Sequence, residues 1–549
     1  MFGASYIRYV SSDVNQLWNS ATLHCGSQDS WFFPVYISPE VPSERHAHLQ
    51  GTHQATLVVT EDTESVYHSV PAPRLDIVPL ISSGPSSNRI DFVFFGDGYT
   101  KNEKSKFVED AKRLAFDLSN NQTFATVKPL LNFWAAFTPS NESGIGVGGN
   151  VNDTPFGLYR NGTELRVVYY AKPEVAHAAC LSMGDMCDYP ILLGNDPLYG
   201  GLGGRFTVTT SSKLNGALVL RHELGHSVIG EGEEYDGGFA YHGPNAANLT
   251  QPFKWQHWLT DNTAAVPREE RSVMPIQAYP WTMLNDSKPW AVTFDSSGLY
   301  SRYVVRFSLS GLPKKDDLTV MLDGKNLHWN PKEGLGLDRW HYDIHINETL
   351  EAGTHSLSFN LENSDLMGGA QLCSMEVIEF GDSAEFNDTV GFIGAFPTYS
   401  EKNVTTYRPT NEDCLMRIVT TPTFCKVCIE GLWHALLRRM DLIDDISSGC
   451  VLGDDSSVKR SIAVKLVRLA QFREEPVAHS EAYIITWRKD GIEMPEFANQ
   501  TSIVVDNIPA NYSVQVEFAT DEVRIDPNGY LRSTTTLEVT KCGGEGDNN

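Results

Sequence analysis

The sequence predicts a mixed α/β core carrying β-sandwich accessory regions, one of them inserted into the core. Three observations lead there. Ile90-Asp91-Phe92-Val93-Phe94-Phe95 is an apolar run of strand length that ends in the turn residues Gly96-Asp97-Gly98. Lys104 to Leu118 follows with apolar residues at helical spacing: Phe107, Ala111, Leu114, Ala115 and Leu118. This alternation of strand and helix recurs to about residue 230, then gives way to closely spaced strand-like runs from about 296 to 380 and again beyond 457.

In chain order, residues 1–82 read as a β domain, with β-branched runs such as Thr56-Leu57-Val58-Val59-Thr60. The Ser- and Gly-rich stretch Ile81 to Asn88 reads as a linker. Residues 89–295 form the first part of the core, with strands expected at Asn132 to Thr138, Leu165 to Tyr170, Ile191 to Leu193 and Arg205 to Thr210, and a helix at Asn215 to Ile229. An inserted β-sandwich is expected at 296–380. The core resumes over 381–455 with a helix at Ile429 to Ile443. Residues 457–542 read as a C-terminal sandwich of immunoglobulin or fibronectin type.

The 549 residues carry 43 Lys and Arg against 69 Asp and Glu, a net charge of −26. A surface this acidic repels phosphate backbones and anionic membranes, so nucleic acid is not an expected partner. No run of eighteen apolar residues exists, so no membrane-spanning helix is expected. Met1 to Val10 has no apolar leader core. Two features nevertheless point to the secretory route. Eleven Asn-x-Ser/Thr sequons occur, at Asn121, Asn141, Asn152, Asn161, Asn248, Asn285, Asn347, Asn387, Asn403, Asn499 and Asn511. Chance would give roughly four or five, so N-linked glycans are expected. There are also nine cysteines, of which Cys180 and Cys187 flank a short polar loop and Cys414, Cys425, Cys428 and Cys450 cluster; an oxidising compartment would make these disulfides. A secreted protein is expected, its leader peptide absent from this sequence.

The chemistry is carried by His222-Glu223-Leu224-Gly225-His226, reached through the apolar run Ala217 to Leu220. Histidines four apart share one helix face and can offer both imidazoles to one zinc ion. Glu223, next to the first histidine, is placed to be the general base. Gly225 leaves room for a close neighbour. A third ligand must come from downstream. Gly230 permits a turn, and a glycine here followed by a ligand is the metzincin layout. The usual ligand position holds Gly232, which cannot bind, so Glu233 is the expected ligand and Glu234 the alternative.

Four blocks between about 89 and 430 resemble the IgA-peptidase family of zinc metallopeptidases: Phe95 to Thr100; Ser140-Asn141-Glu142-Ser143-Gly144; His222 to Tyr235; and Tyr407-Arg408-Pro409 with Cys414-Leu415-Met416-Arg417 and Phe424 to Cys428. The resemblance implies a metzincin-like zincin core, one catalytic Zn2+, protein or peptide substrates, and Met416 as the Met-turn beneath the metal. It also aligns Glu233 with an Asp of bacterial members. Met274 is the rival Met-turn by position.

Tyr407 and Tyr235 could donate to an oxyanion or be structural. Asp97 reads first as a turn former. His341 and His345, in a strand-like run, read as part of a sandwich face, and His46, His48 and His53 as surface residues. Cys425-x-x-Cys428 could be a redox pair or half of a zinc site, with a structural disulfide preferred. The expected function is a secreted zinc endopeptidase. The rivals are a catalytically inactive relative that binds glycans or proteins, and a zinc hydrolase of other amides.

Overall fold

The computed structural model describes residues 70–542 apart from 121–122, 249–251, 264–265, 403, 455 and 479. All of these lie in the unit Ser43–Asn549; the unit Met1–Pro42 contributes none. Most of the expected β domain at 1–82, Thr56 to Thr60, and His46, His48 and His53 therefore lie outside the described residues. The described chain is mostly β, in several sheets, with few helices.

The sheet that positions the site has six strands: β1 (Asp76–Ile81), β2 (Ile90–Asp97), β3 (Leu131–Phe137), β4 (Tyr189–Gly194), β5 (Gly201–Leu202) and β6 (Thr207–Thr210). Their order is β1-β3-β2-β4-β6-β5. The four inner strands are parallel, and β1 and β5 close the edges antiparallel. A parallel interior needs both faces covered, which explains the continuous apolar run of β2. Ile90, Phe92 and Phe94 face α1 (Lys104–Asn120), and Val93 and Phe95 face α2 (Pro173–Leu181). α1 buries Phe107, Ala111, Leu114, Ala115 and Leu118, the stripe seen in the sequence. Of the expected strand Leu165 to Tyr170, Tyr169–Tyr170 forms a short strand paired with Leu158–Tyr159, and Val167 makes an isolated bridge to Gly201.

The helix that carries both histidines, α3, is α-helical over Gly216–Leu224 and widens into a π-turn over Gly225–Ile229. Gly230, at φ 76°, ends it in the left-handed region. α4 spans Lys426–Leu437 and packs against the same core. It stops before the expected Ile443 because Leu442 anchors in the core and Ile443 opens a strand, Ile443–Leu452.

Two antiparallel sheets follow the first region. A five-stranded one (Ser272–Ala278, Thr282–Met283, Arg302–Ser310, Trp340–Ile346, Gln371–Phe380) faces a four-stranded one (Trp290–Ser296, Leu318–Leu322, Lys325–Asn326, Gly353–Leu361) across Val305, Phe307, Val320, Leu357 and Phe359. Towards the C-terminus, Val458–Leu466 pairs with both Ile443–Leu452 and Ser502–Asp506, and Ala510–Thr520 pairs with Glu481–Lys489 and Arg532–Val539. Phe518 in this region lies against Trp433 of α4, 5.2 Å between ring centroids.

Cys180 and Cys187 form a disulfide. Cys450 departs from the expected grouping and pairs with Cys542, and Cys414, Cys425 and Cys428, expected to form a disulfide, are all unpaired thiols. No helix among the described residues is long and apolar enough to cross a membrane.

Candidate metal centre

His222 and His226 stand one turn apart on α3, with ring centroids 4.9 Å apart and planes at 88°. Nδ1 of His222 faces the carbonyl oxygen of Leu415 at 3.3 Å, and Nδ1 of His226 faces that of Glu231 at 2.9 Å. A carbonyl only accepts, so each Nδ1 carries the hydrogen and each Nε2 is left free to take a proton or a metal ion. Both Nε2 atoms point at one carboxylate: His222 lies 3.2 Å from Glu233 Oε2, and His226 lies 3.1 Å from Glu233 Oε1.

This arrangement needs a positive charge. Without one, two nitrogen lone pairs would face the Glu233 carboxylate. A proton can supply the charge. Burial opposes it, but the Glu233 carboxylate outweighs burial and pushes the His226 pKa up to about 10. Burial likewise opposes ionisation of Glu233, and the two histidines more than offset it, holding that carboxyl well below its usual range. The other source is a divalent cation. One donor atom from each residue lies within 4.8 Å of the others, and two imidazoles with one carboxylate are a ligand set that zinc accepts.

The chain after Gly230 separates the two candidate glutamates. The Gly232 N–H donates to His242 O (3.0 Å) and the Glu233 N–H to Ala240 O (2.7 Å). A Cβ at 232 would collide with the backbone of Ala240 and His242, which is why the usual ligand position is a glycine here. Asn245 braces the turn, accepting from the Gly232 N–H and donating to Gly232 O and to Glu234 Oε1. Glu233 thereby faces the histidines. Glu234, fully buried, faces Cys428.

Glu223 is half-buried beside the histidines. Burial raises its carboxyl pKa, and His222 and His226 draw it back down. The backbone after β5 runs close above it: a Cβ on Gly203 would meet Glu223 Oε2 at 2.9 Å and the His226 ring at 3.3 Å.

Met416 is buried below α3, and a Cβ on Gly225 would meet its sulfur at 2.8 Å. Met274 lies elsewhere, against the cluster of Val304, Phe380 and Phe386. The Tyr235 ring is partly exposed and lies near-parallel to His222 at 6.3 Å. Tyr407 is turned to other work: its hydroxyl donates to Glu269 (2.8 Å). Asp97 accepts from the N–H groups of Phe156 and Leu158 and from the Thr154 hydroxyl, so it organises the loop beyond β3. His341 is enclosed, its Nε2 without a partner. His345 joins Asp343 and Glu412, but the Arg306 guanidinium already supplies the cation there.

Sequence reasoning missed the carbonyls of Leu415 and Glu231, the brace of Asn245 and the close approach of Gly203. Backbone oxygens leave no residue signature.

Residues 78–274 match the family described as IgA Peptidase M64. No curated protein matches the chain. Among solved structures, a GH2 β-galacturonidase from Eisenbergiella tayi is 11% identical over 46% of this chain and 34% of that one, with a TM-score of 0.09. The exo-chitosanase CsxA of Amycolatopsis orientalis is 10% identical over 46% and 25%, with a TM-score of 0.12. A β-glucosidase from Kluyveromyces marxianus is 9% identical over 64% and 59%, with a TM-score of 0.16. The chain spans about a third or less of the length of the first two. The segment that matches the IgA Peptidase M64 family, residues 78–274, is the one that holds the histidine pair and the carboxylates around it.

Proposed function

We propose that this protein is a secreted zinc endopeptidase with a metzincin-like core. The observation that carries the reading is the convergence of His222 Nε2, His226 Nε2 and the Glu233 carboxylate, with Glu223 alongside. The parts of the chain then have separate roles: the six-stranded sheet with α1 to α4 makes the catalytic core, the two sheets from Ser272 to Phe380 an inserted sandwich that starts earlier than the expected 296, and the strands from Ile443 to Val539 a terminal β region that starts earlier than the expected 457.

Zinc bound by these three side chains would lower the pKa of a water molecule to about 7 and polarise a peptide carbonyl. The chain's own residues do the rest. His222 and His226 are fixed in orientation and tautomer by the carbonyls of Leu415 and Glu231, so no reorganisation is needed when the ion binds. Glu223 accepts the proton of the attacking water and delivers it to the leaving amine nitrogen. Its burial raises its proton affinity, which suits a group that must take up a proton and then release it. Tyr235, partly exposed beside His222, is the nearer of the two tyrosines to this site and would be the one to donate to an oxyanion.

Secretion is supported by the two disulfides and by the exposure of Asn141, Asn161, Asn285, Asn347, Asn499 and Asn511. Asn152 is different: the Thr154 of its sequon is buried on Asp97.

The test is digestion of a panel of unfolded proteins, with and without a chelator, with the new termini sequenced. Chelator-sensitive cleavage at internal bonds is expected. No cleavage of any protein, with the metal in place, would favour a binding role instead.

A further inference from the structure

The three cysteines Cys414, Cys425 and Cys428 lie under the catalytic helix with Glu234, all four buried. Cys414 Sγ is 3.7 Å from Cys428 Sγ, Cys425 Sγ is 3.6 Å from Cys428 Sγ, and Cys428 Sγ is 3.7 Å from Glu234 Oε1. Four ligands around a zinc ion at about 2.3 Å for sulfur stand at the corners of a tetrahedron with edges of about 3.8 Å. The observed separations are those edges. They are also well beyond bonding distance, although two other cysteine pairs in the same chain are joined.

A second observation points the same way. Glu231 is fully buried, and its carboxylate oxygens have no N–H or O–H donor, only the Cys428 thiol beside them. Glu234 Oε2 also lacks one. Two carboxylates and three thiols are thus shut together with unfilled acceptor capacity, which a bound cation would satisfy.

We propose that Cys414, Cys425, Cys428 and Glu234 bind a second, structural zinc ion, distinct from the one at His222, His226 and Glu233. Binding converts the three thiols to thiolates, and their protons pass to solvent as the metal–sulfur bonds form. Nothing is oxidised. The ion ties the segment Cys414 to Arg417 and the start of α4 to the residue after Glu233. That segment supplies the Leu415 carbonyl that orients His222 and the Met416 carbonyl that accepts the Glu234 N–H at 3.1 Å. The structural ion therefore holds the frame in which the other site is built. The all-protein ligand set leaves no open corner, so this ion does no chemistry on substrate.

The test counts metal in the full chain and in the double variant His222→Ala/His226→Ala, by elemental analysis after dialysis. About two zinc ions per wild-type chain and about one in the double variant are expected. Cobalt substituted for zinc should give thiolate-to-metal charge-transfer absorption of equal strength in both proteins. If the wild type holds a single ion and the double variant still holds it with that absorption, this proposal stands and the metallopeptidase reading fails. No metal in the double variant, or a disulfide between any two of the three cysteines in a non-reduced peptide map, overturns the proposal. Cys428→Ser should lose the thiolate absorption; where that variant does not fold, the double variant decides alone.

Discussion

Gly225 and Met416 are in contact that only a glycine permits: a Cβ at 225 would stand 2.8 Å from the methionine sulfur and 3.2 Å from the Phe424 ring. The helix that carries both histidines is therefore seated directly on the Met416 segment, and its widening into a π-turn begins at that same glycine. Gly225→Ala should force the two apart, at about 1–3 kcal/mol, a typical cost of overpacking a filled core. Thermal unfolding should register it, and the affinity for the metal should weaken with it. An unchanged melting temperature would mean the seat is looser than these distances indicate.

The Glu233 and Glu234 side chains diverge, and substituting each should have separable consequences. Glu233→Ala should lose the ion that lacks thiolate absorption in the cobalt-substituted protein, and cleavage with it. Glu234→Ala should keep that ion and disturb the cysteine cluster. The reverse pattern would assign Glu234 to the histidines.

Arg89 and Asp444 form a buried pair at 2.6 Å that joins the start of the six-stranded sheet to the first C-terminal strand. Burial works against the Asp444 carboxylate, but Arg89 outweighs it and lowers its pKa. A depressed carboxyl contributes stability in full above the unfolded value of about 3.9 and loses it as pH falls through the folded value. Asp444→Ala should cost about 3–5 kcal/mol near neutral pH, because it strands a buried guanidinium. The cost should shrink in acid. A penalty independent of pH down to unfolding would contradict the assignment.

Much of this was legible in the sequence wherever periodicity decides structure. The β2 run, the α1 stripe and the histidine spacing are local patterns, and each reappears at nearly the expected residues. What lay hidden depends on contacts distant in sequence. Cys450 was grouped with its neighbours in sequence, yet its partner Cys542 is reached only through the register of the C-terminal sheets. The helix expected to run on to Ile443 stops at Leu437, since apolar residues at helical spacing cannot say that Leu442 and Ile443 serve a turn and a strand. Gly232 looked like a departure from a ligand pattern; its reason is the backbone of Ala240 and His242 lying against it. Tyr407, adjacent to a motif, is engaged by Glu269, 138 residues away.

Glu223 moves the proton in this mechanism while the histidines and Glu233 hold the metal, and Glu223→Gln separates those two roles. The substitution keeps the side chain's shape and removes its basicity. Metal content and protein cleavage should be measured on the same preparation. Metal content equal to that of the wild type is expected, with cleavage lower by at least about a hundredfold. Cleavage within a few-fold of the wild type, with the metal still bound, would contradict it.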